Sequence, residues 1–503
     1  MYLVGIDVGT TNTKSVIFDV ETGHICAAGS CRNVARHPVA EWSEFDAEDL
    51  WGTVLQSIQA AVQQCDQPER IRAISVASMG ESAFPVDADG NVLYAAIAWH
   101  DQRAAAEAKQ WEEAVGQERI FTITGQIPLP MFGVNKLLWL RNHVPQVFER
   151  IHHWLNIEDF VLWKLSGSIA TDYSIASRTM LFDQRSLTWS EPLLQQAGLP
   201  AAWFSPAFPS GTAIGTVRKS IAEKTGLPQQ TIVCTGGHDH LCGALAAGVT
   251  RPGHLLESMG TASVLLAVSN AFHPGRELLA AGYPNYAYVI QHTYATMGML
   301  NFAGGALEWI VALLYGQGKQ GKETISPDIY AQALYEATEI PPGSHGAIVL
   351  PTFLGSGTPY GQSSAHGAML GLSPSHKRAE LVRALMEGLA FWLRDNTEML
   401  CKLGIAPPQP EITVIGGTTQ ATPLLQIKAE ITGCPIKVPQ IIEAAATGAA
   451  LLAGLGANIF HSGEEAASSV LHTVQIYEPD PRVVEIYNTI YEQTYLPARR
   501  LVI

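Results

Sequence analysis

Short apolar runs ending in Gly-Thr turns occur twice along the chain. Residues 2–8 (YLVGIDV) are almost wholly apolar up to Asp7, residues 9–13 (GTTNT) read as a turn, and residues 14–20 (KSVIFDV) alternate as a second strand. The plan returns at residues 254–259, a Gly260-Thr261 turn, and residues 262–268 (ASVLLAV). Two hairpins of one plan predict a duplicated fold whose halves grip one phosphate chain from opposite sides. Backbone N–H groups and threonine hydroxyls in such turns can wrap a phosphate.

Other strands are expected at 71–77 (IRAISVA), 231–234 (TIVC) and 412–415 (ITVI). Helical spacing is expected over 49–64, much of 104–165, 303–315, 378–403, 421–433, 443–456 and 481–495. The aromatics Trp139, Trp154, Phe160 and Trp163 read as core. Residues 166–230 read as loop-rich, punctuated by Pro192, Pro200, Pro206, Pro209 and Pro228. Residues 316–323 (GQGKQGKE) match both GxGxxG and GxxxxGK. Glu323 occupies the P-loop hydroxyl position, a helix rather than a strand precedes, and an exposed loop is expected.

The stretch Gly236-Gly237-His238-Asp239-His240 joins the 231–234 strand to a small-residue helix at 241–249. A strand, a glycine turn and an aspartate at a helix start place one carboxylate at a helix N-terminus facing a cleft. Asp239 reads as a general base, against the plainer reading of a helix cap. Asp7, at a strand end, suits a hydrated Mg²⁺, which prefers one or two carboxylates plus waters. Lys14 adds positive charge to the first turn. Glu81 follows the 71–77 strand, and Trp99, Asp101 and Arg103 follow a further short strand. Carboxylates and a guanidinium pair well with a polyhydroxylated ligand, since each hydroxyl both donates and accepts. A solvated surface Asp–Arg pair is the alternative. Gly416-Gly417, between strand and helix, let a ring or phosphate approach the backbone closely.

At 503 residues the chain is long enough for more than one domain, and 47% hydrophobic content supports sizeable cores. A net charge of −15 argues against nucleic acid or an anionic membrane as the main partner. Seven scattered cysteines without a CxxC pair fit a reduced, cytoplasmic protein. No signal-peptide pattern opens the sequence, and no apolar run reaches the ~18 residues of a membrane span.

With these pieces placed in order, the chain resembles the FGGY carbohydrate kinases over residues 2–457. The family's DxGTTxxK/R motif is matched by Asp7, Gly9, Thr10, Thr11 and Lys14. Its WxDxR segment is matched by Trp99, Asp101 and Arg103, its catalytic aspartate by Asp239, and its second phosphate turn by Gly260-Thr261. Ala303-Gly304 match the nucleotide-contacting pair before a helix, and Gly416-Gly417 the adenosine motif. The resemblance implies an α/β protein of two ribonuclease H-like (actin/hexokinase-like ATPase) domains with an interdomain cleft. A sugar-binding and catalytic domain would span residues 1–245 and a nucleotide-binding domain residues 246–503. It also implies ATP and Mg²⁺, a small sugar or polyol substrate, and a homodimer.

Departures concern the substrate side. The glycerol-specific branch binds substrate with an Arg-Glu pair, and here Gly80 takes the arginine's place while Glu81 is kept. That branch's Asp-Gln is Asp239-His240, and its tyrosine is Met131. Xylulose-type relatives carry Met-His near Met79-Gly80, and the histidine is absent. The resemblance implies Asp239 as general base for a primary hydroxyl, and Asp7 with Asp239 on Mg²⁺. Thr10, Thr11, Lys14, Gly260, Thr261, Gly304, Gly416 and Gly417 would hold ATP. Glu81, Asp101, Arg103, Met131 and His240 would form the hydroxyl-binding set, for a substrate of the ketopentose, hexulose, tetritol or glycerol kind. Two rivals stand beside this. One is a metal-dependent hydrolase using His238, Asp239 and His240. The other is a non-catalytic, actin-like sugar and nucleotide sensor.

Overall fold

Two seven-stranded sheets of one plan carry the chain in the computed structural model, which describes residues 1–316, 325–470 and 473–502. In the first half, β1 (Tyr2–Val8) pairs antiparallel with β2 (Asn12–Asp19), and β2 with β3 (His24–Arg32). On its other side β1 runs parallel to β4 (Ile71–Ser78). β5 (Ala213–Thr216) pairs antiparallel with β6 (Ile232–Cys234), which lies parallel to β4. The two-residue β7 (Gly237–His238) also pairs with the end of β4.

The second half repeats this. β8 (His254–Met259) and β9 (Ser263–Ser269) form its hairpin. β10 (Asn285–Ala287) edges the sheet beside β11 (Tyr294–Leu300), which pairs antiparallel with β9. β12 (Glu411–Ile415) runs parallel to β8, β13 (Ile436–Pro439) parallel to β12, and β14 (Val474–Tyr477) antiparallel to β13. The strand directions across β3-β2-β1-β4-β6-β5 therefore match those across β11-β9-β8-β12-β13-β14.

Helices follow from the local pattern. α1 (Ala47–Gln63) starts at Asp46, whose side chain accepts the N–H groups of Glu48 and Asp49, and buries Leu50, Val54, Ile58 and Ala61 on one face. α2 (Tyr173–Ser177) is capped by Asp172 in the same way. α3 (Asp239–Ala246) follows β7 directly. Beyond β11 come α4 (Gly304–Tyr315), the 25-residue α5 (Arg378–Lys402), α6 (Thr422–Thr432) and α7 (Ala444–Gly456).

The alanine and glycine content of α7 has a steric cause. A Cβ on Gly5 of β1 would lie 1.8 Å from the Ala446 carbonyl oxygen, and one on Gly448 would lie 1.9 Å from that of Cys242. α7 thus rests on the first sheet and crosses α3 at backbone contact. One core joins Leu3 and Phe18 of the first sheet to Leu256 and Leu266 of the second through α3 and Leu451 and Leu452 of α7. Adding a methyl at such a contact overpacks it and costs about 1–3 kcal/mol.

The structure departs from the sequence reading in several places. A strand at His153–Asn156, paired with Ala83–Val86, interrupts the stretch expected as helical. Residues 166–230 carry three short helices, at Tyr173–Ser177, Glu191–Ala197 and Lys219–Thr225. β14 and a helix at Gly463–Ser468 precede the terminal helix, in a stretch for which the sequence pattern predicts neither. Residues 317–323 of the GxGxxG-like loop lie outside the described residues. Among those described, no helix is long and apolar enough to cross a membrane.

Candidate active site

A cavity of about 560 Å³ opens where the two halves meet, lined by Asp7, Lys14, Asp239, Gly416, Gly417 and Glu443 among others. Asp7 stands opposite Lys14 across the β1-β2 hairpin. The turn between them closes through Gly9 N–H to the Asn12 carbonyl at 3.0 Å, and the Asn33 amide donates to the Gly9 carbonyl at 2.7 Å. Thr10 and Thr11 lie on this turn, and the Trp99 indole N–H donates to the Thr10 hydroxyl at 3.0 Å. Lys14 Nζ donates to Glu443 Oε2 at 2.6 Å, so the residue just before α7 reaches across the cavity.

Asp239 is the first residue of α3, and His238 takes the N-cap position. The cap reading therefore fails in detail, because among the described residues the Asp239 carboxylate accepts only the adjacent N–H of His240, at Oδ1 and 2.6 Å. His238 Nε2 lies 3.5 Å from the same oxygen. The turn is fixed from below. Glu158 Oε1 accepts Gly236 N–H at 2.6 Å, and Ser174 Oγ, itself held by Asp172, accepts His238 N–H at 2.9 Å.

Burial works to push the Asp239 carboxyl up, but His240, His238, the His240 N–H and Arg178 together hold it below the usual aspartate value. Asp7 moves the other way. Burial, then the charge of Asp239, raise it to about 8 against the pull of Lys14. Asp7 Oδ1 is buried and accepts no hydrogen bond among the described residues. A buried, orphaned carboxylate oxygen facing a second carboxylate fits a divalent cation, which would neutralise both.

The second hairpin presents its own turn. Gly260 N–H bonds the Ala262 carbonyl at 2.9 Å, while Ala303, Gly304 and Gly305 at the start of α4 donate to the carbonyls of Thr261 and Gly260 at 2.8–3.1 Å. A Cβ on Gly304 would sit 2.3 Å from the Gly260 oxygen, so only glycine fits there. Gly416 has φ 106°, and a Cβ on it would lie 2.4 Å from the Met259 oxygen. The Thr418 hydroxyl donates to that oxygen at 2.9 Å. Gly260, Thr261, Gly304, Gly416 and Gly417 thus come together at one end of β8. Beneath them Lys428 pairs with Glu257, both fully buried, and Ser263 Oγ donates to Glu257 Oε1 at 2.8 Å.

On the substrate side the expectations divide. Glu81 is buried beside the end of β4 in a left-handed backbone conformation, φ 57°. Lys136 Nζ donates to the Glu81 carbonyl at 2.9 Å. Arg178, which the sequence reading did not single out, pairs with the Glu81 carboxylate, Nε to Oε1 at 2.5 Å. His240 is exposed and lines the cavity. Met131 is half-buried and packs against a hydrophobic core of the first half.

Asp101 and Arg103 are corrected. Their side chains are 0% and 1% exposed. Arg103 donates twice to Asp101, at 3.0 and 2.7 Å, and once to Glu44 at 2.5 Å, with its guanidinium 3.9 Å from the Trp42 ring centre. The Asp101 carboxylate also accepts the backbone N–H groups of Arg103 at 2.9 Å and Ser43 at 2.7 Å. Both groups are occupied inside the first half and present nothing to a ligand. The hydrolase rival also loses its basis: among the described residues no group of three or more His, Cys, Asp or Glu is arranged to hold a metal.

Comparison with known proteins bears on this geometry. Residues 2–246 match the N-terminal domain of the FGGY family of carbohydrate kinases, and residues 255–457 its C-terminal domain. The chain is 30% identical over 500 residues to a xylulose kinase of Bacillus subtilis (strain 168), covering 98% of this chain and 95% of that protein. It is 29% identical over 486 residues to a glycerol kinase of Thermococcus gammatolerans, covering 95% and 93%. The solved structure of a xylulose kinase from Rhodospirillum rubrum superposes with a TM-score of 0.90 at 27% identity, covering 100% of this chain and 99% of that one. The chain belongs to the FGGY family of carbohydrate kinases, and its activity is ATP-dependent phosphorylation of a sugar or polyol.

Proposed function

We propose that the substrate is a small ketose or polyol, xylulose-like before tetritol, hexulose or glycerol, phosphorylated on a primary hydroxyl with Asp239 as general base. The observation that carries the mechanism is the placement of Asp239 at a cavity it shares with Gly9 and Lys14 of the first hairpin and Ser258, Gly416 and Gly417 of the second half. Its Oδ1 takes the His240 N–H, which leaves Oδ2 for the substrate proton. The position of its carboxyl below the usual value keeps it ionised, as a base must be. The preference for a ketose rests on relatives that carry the xylulose kinase name.

Phosphoryl transfer asks mostly for positioning and charge neutralisation. In this reading Thr10, Thr11 and Lys14 hold the phosphates from the first half, and Gly260 and Thr261 from the second. Gly304, Gly416 and Gly417 let the nucleotide approach the backbone. Asp7 and Asp239 would hold Mg²⁺, which would neutralise phosphate charge when bound. Glu81, His240 and Met131 face the sugar. The division falls between residues 245 and 246, and closure of the halves excludes water. A homodimer belongs to the same reading, and light scattering of the purified chain tests it.

The test of function is ADP release with ATP and Mg²⁺ across ketopentoses, hexuloses, tetritols and glycerol. Release dependent on one ketose or polyol supports the reading. Release that depends on none of them, from protein that binds ATP, overturns the substrate assignment.

A further inference from the structure

We propose that Arg178 is a substrate-recognition residue, acting with Glu81 as a buried guanidinium–carboxylate pair, and that Gly80 is glycine to admit it. The inference rests on the kinase reading above and adds a residue from outside every motif that carries the family resemblance.

The geometry supports it at four points. First, Arg178 stands at the C-terminal end of α2 and reaches Glu81 across a sequence separation of 97 residues. Second, a Cβ on Gly80 would lie 2.8 Å from Arg178 Cγ and 3.1 Å from His238 Cδ2. The side chain of any other residue at 80 would enter the space that Arg178 fills. Third, the guanidinium is enclosed by both halves. Its carbon lies 5.1 Å from the ring centres of Phe132 and of Tyr286, and Tyr286 belongs to β10 of the second sheet. Fourth, it is close enough to Asp239 for the two charges to stabilise one another.

A buried ion pair is weak evidence for a purely stabilising role, because desolvating two charges offsets their attraction. The donor inventory points to recognition instead. A guanidinium carries five N–H groups. Arg178 directs Nε and Nη2 to Glu81 and Nη1 to Gln126 Oε1 at 3.4 Å. Of the two N–H groups that remain, one is within hydrogen-bonding reach of the Tyr286 hydroxyl, which leaves one for a ligand. Glu81 Oε2 likewise accepts no hydrogen bond among the described residues, and a hydroxyl needs one donor and one acceptor. Glu81 is pinned for this purpose. Its φ of 57° is uncommon for a non-glycine residue, and Lys136 holds its carbonyl. The Tyr286 contact means that a residue of the second sheet helps to hold the Arg178 guanidinium in place.

The test is steady-state kinetics of the full chain on the sugar that wild type phosphorylates, with ATP and sugar varied separately. Arg178→Lys keeps the charge and loses the planar fork. It is expected to raise the sugar KM at least ~10-fold, the loss tied to one charge-assisted hydrogen bond, with the ATP KM within about 2-fold of wild type. Gly80→Ala displaces the arginine without removing it and is expected to shift the sugar KM in the same direction. If Arg178→Lys does not fold, Gly80→Ala decides alone. A sugar KM within about 2-fold of wild type in the folded variants, or ATP and sugar KM rising together, overturns the proposal. A wild-type protein with no sugar-dependent turnover is a different result, and it counts against the kinase substrate reading rather than against Arg178.

Discussion

Lys14 and Glu443 meet at 2.6 Å across the cavity, joining the first Gly-Thr hairpin to the start of a helix 429 residues later. Each side chain is 32% exposed, so the pair contributes about 0–1 kcal/mol. Glu443 holds the ammonium group that the proposed function assigns to the ATP phosphates.

Removing the carboxylate should therefore help nucleotide more than it harms the fold. Glu443→Gln is expected to shift Tm by no more than about 3 °C and to lower the ATP KM by ~2–5-fold. Lys14→Met is expected to raise the ATP KM by ~10-fold or more. Both follow from ATP-varied kinetics and thermal melts. An ATP KM that rises in Glu443→Gln would mean that the carboxylate supports nucleotide binding instead of competing with it.

Two glycines near the second hairpin separate packing from ligand approach. A Cβ on Gly260 meets nothing within 4 Å, whereas one on Gly304 meets the Gly260 oxygen at 2.3 Å. Gly304→Ala should lower Tm through an overpacking cost of about 1–3 kcal/mol. Gly260→Ala should melt like wild type and still bind ATP at least ~10-fold more weakly, since there the added methyl meets only the incoming phosphate. Calorimetric ATP titration of Gly260→Ala reads this directly. Wild-type affinity would move the phosphate away from this turn.

The Glu158-Asp159-Asp172 region under the Gly236–Asp239 turn gives a pH signature. Burial raises Asp159 to about 7, although the Thr171, Ser205 and Asn156 groups pull the other way. A carboxyl raised in the folded state contributes stability below its unfolded value near 4, and that contribution is lost as pH climbs toward 7. Asp159→Asn cannot ionise and keeps acceptors for the Ser205 hydroxyl and the Asn156 amide. Its Tm should match wild type at or below about pH 4 and exceed it at pH 8, the gap opening between about pH 4 and pH 7. A constant difference across the range would show that Asp159 does not titrate in that window.

Much of this was legible in the sequence because it is local. Both hairpins announce themselves by apolar alternation broken at Gly-Thr, and the Gly-Gly-His-Asp turn by a strand running into a small-residue helix. The duplicated plan appeared in the hairpins before the matching sheet orders confirmed it. What escaped depends on distant contacts. Arg178 sits in a loop-rich stretch with no motif around it, and its one sequence trace is the glycine at position 80. Asp101 and Arg103 carry the polarity of a binding pair, but Glu44, Trp42 and Trp139 enclose them, and nothing nearby in sequence reveals that. β14 was missed because Val474 and Ile476 are exposed on an edge strand, so the alternation that marks a half-buried strand has no buried face to report.

The most direct test is the turnover of Asp239→Asn beside wild type, at saturating ATP, Mg²⁺ and sugar, with ATP affinity measured in parallel. With Oδ2 as the proton acceptor, kcat should fall at least ~10²-fold while ATP affinity stays within a few-fold of wild type. Unchanged kcat in a folded variant would remove Asp239 from the chemistry and contradict the account at its centre.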